Sequence, residues 1–177
     1  MPTTVADARD LLISSVLCND PVMYIDDRWL YDQEDELPPV VELDLDDQRP
    51  EVSIVGTDVT IVASGHASLL ARKAARQIES ENISVEVIDV RILNPFHSEE
   101  IIKSVKKTKT FLVVDSGWFS AEIIAKVVEQ LPVNCLRTQP VRVALPDAPA
   151  PTSRVLEKAY YTSIEDVIES VKKMLKK

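Results

Sequence analysis

Glycine is nearly absent: three occur in 177 residues, Gly56, Gly65 and Gly117. A Walker loop and a dinucleotide fingerprint each need several glycines within a few residues, so neither phosphate-cradling motif is present. Only two histidines occur, His66 and His97, far apart in sequence, which argues against a His-rich zinc site. Two cysteines, Cys18 and Cys135, make neither a disulfide framework nor a metal cluster. Arg137 is the one cation beside either thiol, so a reactive thiolate is not indicated. No uncharged apolar run approaches the roughly 18–20 residues that span a bilayer, and the Met1 end lacks a signal-peptide pattern. Basic residues are outnumbered, 20 Lys and Arg against 29 Asp and Glu, for a net charge of -9. Such a chain repels phosphate backbones. The expectation is a soluble, cytoplasmic protein with no nucleic-acid and no membrane partner.

Apolar residues make up 45% of the chain and charged ones 28%, which supports a real core. The charge is uneven. Between Asp26 and Arg49 lie ten acidic residues and two basic ones, which places -8 of the -9 in one stretch that also holds Pro38 and Pro39. It reads first as a solvated linker crossing a surface, and second as a docking surface for a basic partner.

Before this stretch the pattern predicts one helix and one strand. Thr4 with Asp7 three residues on resembles a capping box, and Ala8, Leu11, Leu12, Ser15 and Val16 follow at helical spacing. Asn19, Asp20 and Pro21 stop that helix, because proline disfavours helical geometry in the residue before it. The run from Pro21 to Ile25 then reads as a short buried strand. One helix and one strand cannot bury their own apolar faces, so they need the rest of a sheet.

After Arg49 strands and helices alternate. Strands are predicted at 52–55, 59–63, 85–90, 111–114 and 141–145, with a Gly56-Thr57-Asp58 turn after the first. Helices are predicted at 67–80, after Ser98, at 121–131 and after Ser163, the last with Ile164, Val167, Ile168, Val171, Met174 and Leu175 on one face. This alternation predicts a three-layer α/β/α fold on a parallel or mixed sheet. Ligands and partners of such folds meet the loops at the carboxyl ends of the strands. Three loops qualify: 64–66, 91–96 and 115–118.

Their chemistry is sparse. His66 at a helix start could act as a general base, but no Ser, Cys or carboxylate is placed locally to form a relay, and a surface role is the simpler reading. Arg91 suits an anion, or more commonly a carboxylate such as Asp89 or Asp115. Trp118 beside Gly117 fits core packing and an interface anchor equally. The residues alone describe a binding or assembly domain, with no catalytic and no cofactor-binding residue to nominate.

The segments Asp58 to Gly65 and Ile83 to Pro95 resemble the C-terminal domain of the transketolase family. Val113 to Trp118, then Ala121, Glu122 and Ile123, are similar to the beta component of the thiamine-dependent 2-oxoacid dehydrogenases, as are Arg142 to Pro151 and Leu156 with Glu157. Ala6, Asp7, Ala8, Leu11, Leu12, Asp20, Pro21, Val22, Leu30 and Tyr31 resemble the end of that family's pyrimidine-binding domain. The resemblance implies a five-stranded mixed sheet with its first strand antiparallel. It divides the chain into residues 1–50, a helix-strand remnant of the pyrimidine-binding domain plus an acidic linker, and residues 51–177, a transketolase C-terminal-like domain.

The resemblance also implies what lies elsewhere. Thiamine diphosphate and its Mg belong between a diphosphate-binding and a pyrimidine-binding domain, with the activating glutamate and the active-site histidine in the family's first half. His66 and His97 therefore inherit no catalytic role, and this chain alone is expected to bind no cofactor and to be inactive. The implied role is assembly and docking within a 2-oxoacid dehydrogenase beta component, in a homo- or hetero-oligomer, with a lipoyl acyltransferase as a further partner. A split transketolase-type enzyme and a non-catalytic binding module are the alternatives. Gly117, Trp118 and Phe119 match the family's subunit-contact loop, although only Phe119 and Ser120 fill a gap that is longer in the family. Ser15, Cys18 and Asp20 match positions whose backbone carbonyls bind a monovalent cation in some relatives.

Overall fold

The computed structural model describes residues 1–117 and 121–176. Helix α1 (Val5–Leu17) is followed by a long irregular strap with one 3-10 turn at Arg28–Leu30. Then come β1 (Glu51–Ile54), β2 (Val59–Ala63), α2 (Gly65–Ile78), β3 (Val85–Asp89), α3 (Glu99–Thr108), β4 (Phe111–Val114), α4 (Ala121–Val128), β5 (Val141–Val143), α5 (Arg154–Tyr160) and α6 (Ile164–Leu175). The five strands form one sheet in the order β1-β3-β2-β4-β5. β1 is antiparallel to β3, and the remaining pairs are parallel.

Side-chain alternation along the strands builds two apolar layers. Val59, Ile61, Ala63, Leu112 and Val114 point to one face, where α2 contributes Ala67, Ala71 and Ile78 and α6 contributes Val167, Val171 and Met174. Val62, Ile88, Phe111 and Val113 point to the other, against Ile101 and Val105 of α3 and Val127 of α4. Polar groups inside the second layer are paired. The Thr60 hydroxyl lies 2.6 Å from that of Ser104 and 2.7 Å from that of Thr108. The buried Glu86 carboxylate accepts from Lys107 Nζ and, at 3.2 Å, from the Gly56 amide.

Gly56 follows β1 where the backbone passes close to β3, and a Cβ there would stand 2.2 Å from the Val85 carbonyl carbon. That close approach explains one of the rare glycines. Elsewhere the scarcity is felt: Asn82, Lys109, Asn134 and Lys176 take left-handed backbone that glycine adopts more cheaply. Lys109, at φ 59°, terminates α3. Lys109→Gly is expected to stabilise the chain by about 1 kcal/mol. A urea midpoint that rises at unchanged slope would show it, and an unchanged or lower midpoint would refute it.

Several expectations need correction, among them the strand predicted at 141–145, which stops at Val143. Pro21–Ile25, expected as a short buried strand, forms no strand and joins no sheet, and all of it but the half-buried Tyr24 is exposed. Ser98 sits at the N-cap of α3 with no side-chain capping bond. Its hydroxyl instead accepts from Gln130 Nε2 at 3.0 Å, tying α3 to the end of α4. α5 is an additional short helix before α6. The helix predicted at 121–131 ends at Val128, ahead of the turn that leads to Pro132. No described helix is long and apolar enough to cross a membrane.

Candidate functional site

The three loops converge where expected, at the carboxyl ends of β2, β3 and β4. Gly65 opens α2 in left-handed backbone at φ 55°, after an extended Ser64 that makes no side-chain cap. The exposed amides of a helix start attract an anion. Here the chain supplies its own: Asp27 reaches from the strap, and its Oδ2 accepts from the His66 amide at 3.3 Å. The other Asp27 oxygen accepts from the Trp29 amide at 3.0 Å. The position where a phosphate would sit is therefore filled by a side chain.

Asp27 also brings Trp29 over His66. The two rings stack with centroids 5.7 Å apart, Tyr161 meets Trp29 edge-on at 5.8 Å, and Tyr160 meets Tyr161 at 5.2 Å. Burial lowers the His66 pKa from its ordinary value, against the opposing pull of Asp27, so the ring is neutral near pH 7. No nucleophile is hydrogen-bonded to it among the described residues, and a general-base role gains no support from the geometry. His97 donates from Nε2 to the Asp46 carbonyl at 2.9 Å and anchors the strap.

Arg91 does pair with carboxylates, but not with Asp89 or Asp115. Its Nη1 bonds Asp7 at 3.1 Å and approaches Glu51 at 3.5 Å, while Nη2 reaches Gln48 Oε1 at 3.3 Å. Arg91 lies beyond the end of β3 and its partners come from α1, the strap and β1, which sequence distance hid. Asp89, two residues earlier, accepts instead from the Thr3 hydroxyl at 3.0 Å in a buried setting. Burial pushes its pKa up to about 6, opposed by the Thr3 hydroxyl and the Arg72 guanidinium. Neither Thr3 nor Asp89 was singled out as functional. The one signal was a second carboxylate, after Glu86, in a strand that is buried along its whole length.

Two clefts flank these loops. One, of about 420 Å³, lies at the ends of β2 and β4 and is lined by Ser64, Asn94, Phe96, Asp115, Glu122 and Lys126. Lys126 holds its ammonium 5.6 Å from the Phe96 ring centroid and 3.2 Å from Glu122. The other, of about 550 Å³, runs between the C-terminal end of α1 and the 91–95 loop, and Ser15, Cys18 and Asp20 all line it. These three residues are brought together, at a helix end whose last carbonyls lack intrahelical partners. Among the described residues no group of three or more His, Cys, Asp or Glu side chains could hold a metal ion. Both cysteines are free. Gly117 is fixed by its amide, which donates to Asp115 Oδ1 at 2.8 Å, and by its carbonyl, which accepts from Leu145. Trp118 and Phe119 lie outside the described residues.

Fold and loops together define an α/β/α domain whose 64–66, 91–96 and 115–117 loops gather at one end of its sheet. Comparison with known proteins gives that class a family. Residues 50–167 match "Transketolase, C-terminal domain", and the chain belongs to that family. It is similar to pyruvate dehydrogenase E1 component subunit beta of Bacillus subtilis (strain 168), 34% identical over 99% of this chain and 54% of that protein. The Rhizobium meliloti (strain 1021) subunit is 32% identical over 97% of this chain and 38% of its own length. The mitochondrial subunit of Caenorhabditis elegans is 33% identical over 98% and 51%. The chain thus corresponds to the C-terminal part of a pyruvate-dehydrogenase-type beta component and spans about half the length, or less, of these curated relatives. Among solved structures, a split gene transketolase described as an inactive beta4 tetramer shares the fold, with TM-score 0.73 and 23% identity over 99% of this chain and 56% of that one.

Proposed function

We propose that this chain is the assembly and docking part of a 2-oxoacid dehydrogenase beta component. It supports thiamine diphosphate-dependent oxidative decarboxylation in the complete enzyme and is inactive alone. The carrying observation is that similarity to pyruvate dehydrogenase beta subunits runs through the whole chain, strap and α1 included, at 32–34% identity. The described residues do not fit thiamine diphosphate or its Mg: Asp27 fills the α2 N-terminus, and no group of three or more His, Cys, Asp or Glu side chains among them could hold a metal ion.

In this reading residues 1–50 are the end of a pyrimidine-binding domain plus an acidic strap, and residues 51–177 are the transketolase C-terminal-like domain. Both apolar clusters draw only on residues from Ile54 onward, which supports that division. Gly117, Trp118 and Phe119 belong to the subunit contact, and carbonyls at Ser15, Cys18 and Asp20 to a monovalent-cation site. The partners are other subunits of the dehydrogenase, then a lipoyl acyltransferase.

Calorimetric titration tests the reading. The isolated chain titrated with thiamine diphosphate and Mg is expected to give no saturable heat, whereas the assembly recovered with it from its own cell binds the cofactor and reduces an artificial acceptor with a 2-oxoacid. A micromolar dissociation constant for the chain alone, or an assembly inert toward 2-oxoacids, overturns it. The likeness to the split gene transketolase favours a second reading, in which the assembly transfers ketol units. Turnover of sugar phosphates instead of 2-oxoacids would select that one.

A further inference from the structure

The loops at the carboxyl end of the sheet part at one place. β2 and β4 are parallel neighbours, yet the helices that follow them pack on opposite faces. α2 lies on the layer of Val59, Ile61 and Ala63, whereas α4 sends Val127 into the layer of Val62 and Phe111. Two adjacent strands whose loops turn away from each other leave a crevice between them, and open α/β sheets take their ligands there. In this chain the crevice is the cleft of about 420 Å³ at the ends of β2 and β4. That is an ordinary size for a small-molecule site.

The walls of the cleft divide by chemistry. Leu93, Phe96 and Ile123 form an apolar side, and Leu93 stands 42% exposed. Polar groups of both signs form the rest: Ser64, Asn94, Asp115, Glu122 and Lys126. The key charges are held in place. Asp115 is oriented by its own loop, since its Oδ1 accepts from the Gly117 amide at 2.8 Å. Lys126 is held at the rim by Glu122 at 3.2 Å and by the Phe96 ring, 5.6 Å from its centroid. Two carboxylates against one ammonium disfavour a phosphate, and no glycine-rich loop is there to cradle one. A ligand that satisfies both signs carries an ammonium and a carboxylate of its own. We propose that this cleft binds a small zwitterion with an apolar side chain, an amino acid of about leucine's size. Its ammonium meets Asp115, its carboxylate meets Lys126 with Ser64 and Asn94 beside it, and its side chain lies on Phe96 and Leu93. These residues all fall between 64 and 126, and the site does not depend on the assembly reading.

Isothermal titration of the full chain with L-leucine is expected to give a saturable heat. Isocaproic acid lacks the ammonium and isoamylamine lacks the carboxylate, and each should bind about tenfold more weakly or worse, the usual loss for one charged hydrogen-bonding partner. Asp115→Asn keeps the oxygen that accepts from Gly117, and Lys126→Met keeps the hydrocarbon over Phe96. Both variants should weaken leucine binding by a similar factor, of about ten, at an unchanged melting temperature of the free chain. In amide proton–nitrogen spectra, leucine should shift the resonances of Ser64, Asn94, Asp115 and Lys126. Those of Asn82 and Ser84, at the opposite end of the sheet, should stay in place. No saturable heat with leucine, equal affinity for the three probes, full affinity in both variants, or shifts confined to the opposite end would each overturn the proposal. Should a variant fail to fold, the resonance map decides, because it needs no substitution.

Discussion

Phe111→Ala is expected to cost about 3–5 kcal/mol of folding stability, the range for removing a fully buried aromatic ring. Phe111 begins β4, is wholly inaccessible to solvent, and packs with Ile101, Val105 and Val127 beneath α3 and α4. The surrounding backbone is held by β2 on one side, through Thr60 opposite Phe111, and cannot close the gap. Its neighbour Thr60 also anchors the Ser104 and Thr108 hydroxyls, so the hole would open beside a buried polar group that needs its geometry kept. Urea unfolding measures the effect. A loss below about 1.5 kcal/mol would mean that the second layer repacks freely. Phe111→Leu, which removes less volume than alanine does, should recover part of the loss.

How much of this was legible in sequence depended on whether an element's partners lie nearby in the chain. β2 and β4 were read to the residue, because continuous apolar runs bounded by polar turns leave little freedom in assignment. α6 was equally plain. Ser163 and Asp166 form the full capping box, and Val167, Val171 and Met174 face the core as their spacing predicts. The antiparallel β1 came from the family resemblance, not from residue patterns, and is observed. The N-terminal third was read less well. Nothing local could show that Arg91 would choose Asp7, 84 positions away, over Asp89. Nor could spacing show that Asp27 would cap α2 across 39 residues. Such contacts are written in three dimensions only. Pro21–Ile25 failed for another reason: its pattern describes an environment that the described chain does not provide. The strap, read first as a solvated linker, is fastened at both flanks of α1, where Arg9 donates to the Pro38 and Pro39 carbonyls and Ser14 Oγ accepts from the Leu43 amide. Its acidic side chains stay largely in water, as the charge density implied.

Asp89→Asn is expected to make the protein more stable at pH 7, by about 2 kcal/mol. Asp89 is buried at the end of β3, where its carboxyl pKa stands at about 6 against an ordinary 3.8. Burial is the leading cause, and the Thr3 hydroxyl and Arg72 oppose it without cancelling it. A raised pKa means that the folded protein holds this proton more tightly than the unfolded chain does. The stabilisation is therefore complete below the unfolded value and is lost as pH rises through about 6. Each pKa unit corresponds to about 1.4 kcal/mol, so the charged carboxylate costs the fold roughly 3 kcal/mol at neutral pH. Asparagine keeps an oxygen to accept from Thr3 and removes the charge, while Arg72 loses an electrostatic partner, which trims the gain. The difference in unfolding free energy between variant and parent should thus be near zero at pH 4, grow between pH 4 and 6, and level off above about 7. Subtracting the parent curve removes the contributions of the other carboxylates, which both proteins share. A variant less stable than the parent at pH 7 would show that the Arg72 attraction outweighs burial. Asp89 would then be a stabilising anion that binds α2 to the end of β3.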